Sequence, residues 1–335
     1  MGGSEVRMKE LTVAIIIIAL NEENALMQLL DSINKQSYKH NCIEIILVDS
    51  MSKDNTRKIM GEFAKNNSDF KKIVCIDNKK IILSAGWNIA LKLVKSDVII
   101  RLDAHANIHS DFVEKNIKLI GEGHDICGGK VKNYMLKPTK WSTVINMAED
   151  SLFGGSIAAF RHKDTAGYVS TLAFAAYRKE VFDTVGYFNE ALVRTEDNEM
   201  HYRMRTAGYK FFYSPDIVSY RETRASLYKL IRQKFLNGYW IGRTLWICPQ
   251  CFSIYHFIPL FFVLAIIFTA ILTAFSVWQL AAVMWLFYFM MTIIMTAFAM
   301  LTAKISNIYC LCLPFIFLLL HVAYGIGTIK GLLRL

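Results

Sequence analysis

Two kinds of apolar run organise this chain. The first kind is short and rich in β-branched residues: Thr12 to Leu20, Ile43 to Val48, Lys72 to Ile76 and Asp97 to Leu102. Runs of that length without a polar face are the pattern of strands buried on both sides of a parallel sheet. Between them the period changes to that of a helix. After the first strand, Asn21 is a plausible N-cap with Glu22 and Glu23 in the first turn, followed by Leu26, Leu29, Leu30 and Ile33 on one face. Asp54 or Asn55 can cap a second helix, and Ser84 to Val94 reads as a third. Strands alternating with helices at this spacing predict an α/β fold with a mainly parallel central sheet.

Further along, the pattern predicts a strand over Ile126 to Val131, where Gly128 and Gly129 permit close backbone approach. Trp141 to Leu152 fits an amphipathic helix, Phe153 to Asp164 a loop able to order over a substrate, and Val169 to Tyr177 an apolar strand. An acidic cluster, Glu196-Asp197-Asn198-Glu199, opens a helix over Met200 to Ala207 with Gly208 as its cap. From Ser226 to Trp246, Leu227, Leu230, Ile231 and Phe235 recur at helical spacing among Lys229, Arg232 and Lys234, the composition of a helix lying in the interface of an anionic leaflet.

The second kind of run is long. Phe252 to Phe275 and Val277 to Leu301 are uncharged and long enough to cross a bilayer. Ile308 to Ile329 is a third candidate, interrupted by Pro314, His321, Gly325 and Gly327. The chain thus divides into residues 1–222, an interface region 223–250 and a membrane region 251–335 with two to three helices. With the first part on the cytoplasmic side, three spans would put Lys330 and Arg334 outside, against the positive-inside tendency. A re-entrant or interfacial third segment removes that conflict.

Charge sharpens the division. The 335 residues carry 38 Lys and Arg against 28 Asp and Glu. From Cys251 onward there is no acidic residue, and the basic ones are Lys304, Lys330 and Arg334, which leaves a surplus of 7 before that point. Such a surplus beside membrane segments suits lipid head groups, and no pattern of a nucleic-acid module accompanies it. Val13 to Leu20 is too short for a span and lacks the basic flank of a targeting signal. The seven cysteines form no disulfide framework, and Cys248-Pro-Gln-Cys251, with no second pair or histidine, is not expected to serve a metal or redox site.

Candidate chemistry gathers where strands end. Asp103-Ala104-His105 stops the fourth strand abruptly, and open α/β sheets bind ligands past the carboxyl ends of their strands. With one residue between them, Asp103 and His105 can converge on a divalent ion carrying a diphosphate; alternatively they are a solvated turn. Asn21 and Asp49 fall at the ends of the first two strands, so the three clusters can share one crevice. Asp49 can also be a turn or capping aspartate, and the acidic cluster at 196–199 a helix N-terminus favoured by electrostatics alone.

Over residues 10 to 245 the chain resembles the GT-A glycosyltransferases of family 2. The residues that carry the resemblance are Ala19-Leu20-Asn21-Glu22-Glu23, Val48-Asp49-Ser50 with Ser52-Lys53-Asp54-Asn55-Thr56, Ala85-Gly86-Trp87-Asn88, Asp103-Ala104-His105 and Thr195-Glu196-Asp197. The Asp-Ala-His-Ala form, the Glu-Asp-Asn-Glu-Met-His-Tyr-Arg segment and the C-terminal anchor look most like the succinoglycan-type exopolysaccharide branch. His105 stands where many relatives have a second Asp, and Trp87 where an Arg is common. The resemblance implies a Rossmann-like nucleotide-sugar domain with Asn21, Glu22, Asp49, Asn88 and Asp103 at the UDP-sugar and Asp103 and His105 at a divalent metal. It implies Asp197 as general base, assisted by Glu196. An imidazole ligand favours manganese over magnesium.

The expected activity is inverting, metal-dependent transfer of one sugar from a UDP-sugar, with glucose the guess carried by the resemblance, to a hydroxyl of a polyprenyl-diphosphate-linked glycan. That activity would belong to extracellular or capsular polysaccharide synthesis, on the cytoplasmic face of a bacterial inner membrane. Arg232, Gln233 and Trp240 are expected at the acceptor or interface, although they do not reproduce the Gln-x-x-Arg-Trp spacing of processive relatives. Three other readings remain: a polyprenyl-phosphate glycosyltransferase, whose ionised acceptor needs no base; a processive synthase; and a non-catalytic nucleotide-binding membrane subunit, expected to lack Asp103 or Asp197.

Overall fold

The computed structural model describes residues 10–155, 163–223 and 226–335. The first half of the sheet follows the apolar runs. Strands β1 (Val13–Ala19), β2 (Ile43–Asp49), β3 (Lys72–Asp77) and β4 (Val98–Asp103) lie in the order β3-β2-β1-β4, all parallel. Every residue of β1 and β2 is buried, as expected for strands covered on both faces. Their crossovers are α1 (Glu23–Asn34), α2 (Thr56–Asn66) and α3 (Leu83–Leu91), each shorter or later than its apolar period suggested by a few residues.

The remaining strands are short or antiparallel. They are β5 (Ala106–Ile108), β6 (Ile126–Tyr134), β7 (Gly167–Val169), β8 (Ala176–Arg178) and β9 (Phe211–Glu222). β8 continues the sheet beyond β4, with β6, β9 and β5 following and β7 paired to β9. The single strand expected over Val169 to Tyr177 is therefore two three-residue strands, because the chain leaves the sheet between them. Gly129 meets its expectation: a Cβ there would stand 2.0 Å from the carbonyl oxygen of Ile217.

Helices α4 (Phe112–Gly121), α5 (Lys140–Asp150), α6 (Lys179–Val185) and α7 (Glu196–Thr206) complete this region. The expected loop over 153–164 falls partly on 156–162, outside the described residues. After it come α8 (Leu227–Thr244), α9 (Ile258–Ala274), α10 (Gln279–Ala303) and α11 (Leu313–Leu332). Three segments are long and apolar enough to cross a membrane: Ile254–Ala274, Gln279–Ala303 and Ile308–Leu332. Cys248 and Cys251 form a disulfide, a pairing not expected from the scattered cysteines: with three residues of separation and a short turn between them, the two sulfurs are brought together locally.

The chain forms two compact units. One comprises Met1–Lys132, His162–Glu190 and Arg203–Arg221; the other comprises Asn133–Arg161, Ala191–Tyr202 and Glu222–Leu335.

Candidate active site

In the first unit the strand register fixes the site. β1 lies between β2 and β4, with Ala19 opposite Asp49 and Ile18 opposite Asp103. Asp49 and Asp103 thus end their strands on either side of β1, with the backbones of β2 and β4 about 9–10 Å apart across two strand spacings. The order β3-β2-β1-β4 places the topological switch between β1 and β4, where parallel sheets open a crevice beyond their carboxyl ends.

The loops after β1 and β2 are laced together. Asn21 is not the cap of α1: it sits in the left-handed region at φ 56°, and Glu22 holds the cap position without a side-chain cap bond. The free amides of the α1 N-terminus are met from the other loop. The Asn21 amide donates to Ser52 Oγ at 2.9 Å, that of Glu22 to Thr56 Oγ1 at 2.8 Å, and that of Glu23 to Asp54 Oδ2 at 3.2 Å. In return Asn21 Oδ1 accepts from the Lys53 amide and Glu23 Oε2 from the Asn55 amide. A helix start needs such donors satisfied, and here a neighbouring loop does what a cap residue would. Asn55 likewise caps α2 without its side chain, while Asp54 Oδ1 accepts from the Thr56 amide at 3.0 Å. The buried Asp49 carboxylate accepts from the Ser52 amide at 3.3 and 3.2 Å, so it has the turn role that its position suggested.

Asp103 ends β4, and His105 lies in the turn that follows. The His105 ring pairs through Nδ1 with Glu22 Oε1 at 3.4 Å. That hydrogen bond raises the imidazole above its ordinary pKa, against burial, and Asp103 adds to the rise. Among the described residues no three His, Cys, Asp or Glu side chains are grouped to hold a metal by themselves. A pair such as Asp103 and His105 still fits a cation that keeps most of its positions for diphosphate and water. The Asn88 side chain is already engaged within the protein: its amide donates to the Phe188 carbonyl at 2.9 Å and to Glu190 Oε1 at 3.1 Å, and its oxygen accepts from the Phe188 amide at 2.8 Å. It pins the 188–190 loop.

Arg101 escaped the sequence reading. It lies on the same face of β4 as Asp103, two residues on, and its guanidinium sits 4.8 Å over the Trp87 ring and 5.9 Å over Phe188. The available signal was one charge inside an otherwise apolar strand.

The second unit carries the other acidic cluster. Glu196 and Asp197 open α7, where the helix dipole favours negative charge. Glu196 is buried; Asp197 is half-buried and accepts from the Asn198 amide. The preceding Thr195 is held at φ 66°, a strained value for a β-branched residue. Its hydroxyl meets that of the fully buried Thr244 at 2.7 Å, and Arg194 Nη1 donates to Asn237 Oδ1 at 3.1 Å. Helix α8 therefore fastens the segment that leads into the carboxylates. On α8, Arg232 is exposed, Gln233 half-buried, and Trp240 packs edge-on to Tyr239. The Thr244 and Asn237 contacts went unseen because they join residues more than 40 positions apart.

Comparison with known proteins supplies the family. Residues 14–186 match the model described as Glycosyl transferase family 2. The chain is 26% identical over 331 residues, covering 96% of itself and 97% of the relative, to the dolichyl N-acetyl-alpha-D-glucosaminyl phosphate 3-beta-D-2,3-diacetamido-2,3-dideoxy-beta-D-glucuronosyltransferase of Methanococcus voltae. It is 27% identical to the succinoglycan biosynthesis protein ExoA of Rhizobium meliloti, over 69% of this chain and 68% of that one. The fold matches the mannosyltransferase PcManGT from Pyrobaculum calidifontis, solved with GDP-Man and Mn2+, with a TM-score of 0.59 and 16% identity over 97% of this chain and 88% of the other. The likeness to the succinoglycan branch and the GT-A fold expected from the motifs both hold. With strands and loops of the matched region at the register described, this chain belongs to glycosyl transferase family 2 and is a membrane-associated glycosyltransferase.

Proposed function

We propose that the chain transfers one sugar from a UDP-sugar to a hydroxyl of a polyprenyl-diphosphate-linked glycan, with inversion, on the cytoplasmic face of the membrane. The observation that carries this reading is the register that sets Asp49 and Asp103 on either side of β1 at the switch point. A carboxylate at the end of β2 can accept from the ring N–H of a uracil, which makes Asp49 the base reader. Asp103 and His105 would hold a divalent cation, with manganese favoured by the imidazole. When bound, that cation would offset the negative charge developing on the departing diphosphate. The relative from Methanococcus voltae bears a name that specifies a dolichyl phosphate-linked sugar, which supports a lipid-linked acceptor here.

Asp197 serves as the general base. A sugar hydroxyl is a poor nucleophile at neutral pH, so its proton must pass to a carboxylate as the oxygen attacks the anomeric carbon in line with the leaving group. Single displacement of that kind inverts the configuration. Asp197 is accessible at the first turn of α7, while the buried Glu196 beside it supports the turn. A base is unnecessary for a lipid phosphate acceptor, which favours the glycan hydroxyl.

The test is UDP release by detergent-purified protein with a panel of UDP-sugars and manganese, with and without a polyprenyl-diphosphate glycan. Release stimulated by that glycan and abolished by chelation is expected, with Asp103→Ala losing metal-dependent UDP binding. Stimulation by polyprenyl phosphate alone would overturn the acceptor assignment. Metal-dependent UDP binding unchanged in Asp103→Ala would remove that residue from the metal site.

A further inference from the structure

We infer that the third apolar helix is not a span: α11 and α8 form one parallel helix pair seated in a single leaflet, on the same side of the membrane as the residues preceding Ile254. The evidence is backbone contact. A Cβ on Gly327 would stand 2.1 Å from the Phe235 carbonyl oxygen, and one on Gly331 2.0 Å from that of Tyr239. Reciprocally, a Cβ on Gly238 would stand 2.0 Å from the Tyr324 carbonyl oxygen, and one on Gly242 2.4 Å from that of Thr328. Both sequence numbers rise together along the contact, so the two helices run parallel. Glycines on both helices let the backbones touch, as small residues do in membrane helix pairs.

Parallel partners in full contact share one depth. α8 carries Lys229, Arg232, Lys234 and Arg243 along its 18 residues, and a helix so charged is not one that spans hydrocarbon. The start of α11 is tied as firmly. Leu313, Ile316, Phe317 and Leu320 share a buried cluster with Val144 and Ala148 of α5 and Leu230 of α8. Its far end is also held, since Trp246 Nε1 donates to the Leu332 carbonyl at 3.1 Å and the Arg334 guanidinium lies 4.5 Å over the Trp246 ring. Both ends of α11 thus touch elements that precede the first span. A helix crossing the bilayer would have one end on the far side, where neither α5 nor α8 can be.

Burial agrees with this assignment. Within their most apolar stretches, 39% of the third segment is buried inside the protein, against 11% for each of the other two. α9 and α10 then form a two-span hairpin whose turn, Phe275 to Val277, is uncharged. Lys304, Lys330 and Arg334 all return to the side of the basic α8, in keeping with the positive-inside tendency. The exposed surface of the pair, with Tyr228, Lys229 and Arg232 on α8, Trp246 just past its end and Phe315 and Leu319 on α11, combines charge and apolar area as an anionic phospholipid leaflet requires.

The test fuses green fluorescent protein or alkaline phosphatase to the full chain, either before residue 1 or after Leu335, in a bacterial host. The fluorescent protein reports only from the cytoplasm and the phosphatase only from the far side, so each position gives a signal from one reporter. The same reporter is expected to be active at both positions. Opposite reporters at the two positions would establish a third span and overturn the inference. This outcome is independent of the catalytic reading, because it uses no activity of the protein.

Discussion

The two places that hold the candidate site's carboxylates are built by different physics. At the carboxyl edge of the parallel strands, loops are fixed by polar side chains reaching across to backbone amides: Ser52, Asp54 and Thr56 hold the start of α1, and Asn21 and Glu23 hold the second loop in return. The segment before Glu196 and Asp197 is instead fastened to α8, and α8 is fixed by glycine contacts with α11 that leave no room for a side chain. Hydrogen bonds of the first kind are individually modest and can be replaced by water at an accessible loop. Close packing of the second kind has no such substitute, so its failure is expected to be abrupt.

Three substitutions break or sharpen that contrast. The largest effect is expected from Asp197→Asn, which keeps the shape of the α7 start and removes the base. Turnover should fall by about a hundred- to ten-thousand-fold, while UDP-sugar binding, measured by calorimetry, stays nearly unchanged. Retention of most turnover would mean that another group takes the proton. Next is Gly327→Leu, which forces a side chain into the Phe235 carbonyl. Overpacking costs about 1–3 kcal/mol even where neighbours can move. Here the obstacle is backbone, so a marked loss of detergent-solubilised folded protein is expected in a thermal shift, with acceptor-dependent turnover falling alongside it. A variant as stable as the parent would show that the helix pair separates freely. The smallest effect belongs to Asp54→Ala, which removes the acceptor for the Glu23 and Thr56 amides. A loss of about 1 kcal/mol is expected from chemical denaturation, with the Km for donor rising more than kcat falls. A cost as large as that of Gly327→Leu would place both regions under the same kind of constraint.

Reading the chain from its sequence recovered the parallel strands and the positions at their ends, because both are local. A buried run ending in Asp103 or Asp49 looks the same whatever surrounds it. It misplaced Asn21, whose left-handed backbone is set by Ser52 and Lys53 and not by its own helix. It did not foresee that the Asn88 amide bonds Phe188 and Glu190, 100 and 102 residues later. It missed the Glu22 to His105 pair and the Thr195 to Thr244 contact for the same reason.

Sequence alone therefore determined where strands end, which side chains cluster there, and that the last quarter of the chain is apolar enough for a membrane. It did so because burial periodicity and loop composition are properties of neighbouring residues. Only the tertiary structure decided which of those carboxylates share an edge, what α8 fastens, and that α11 lies along α8. Three apolar stretches of similar composition differ in fate because Gly327 and Gly331 meet partners some 90 residues earlier in the chain, a coincidence in space that no local pattern records.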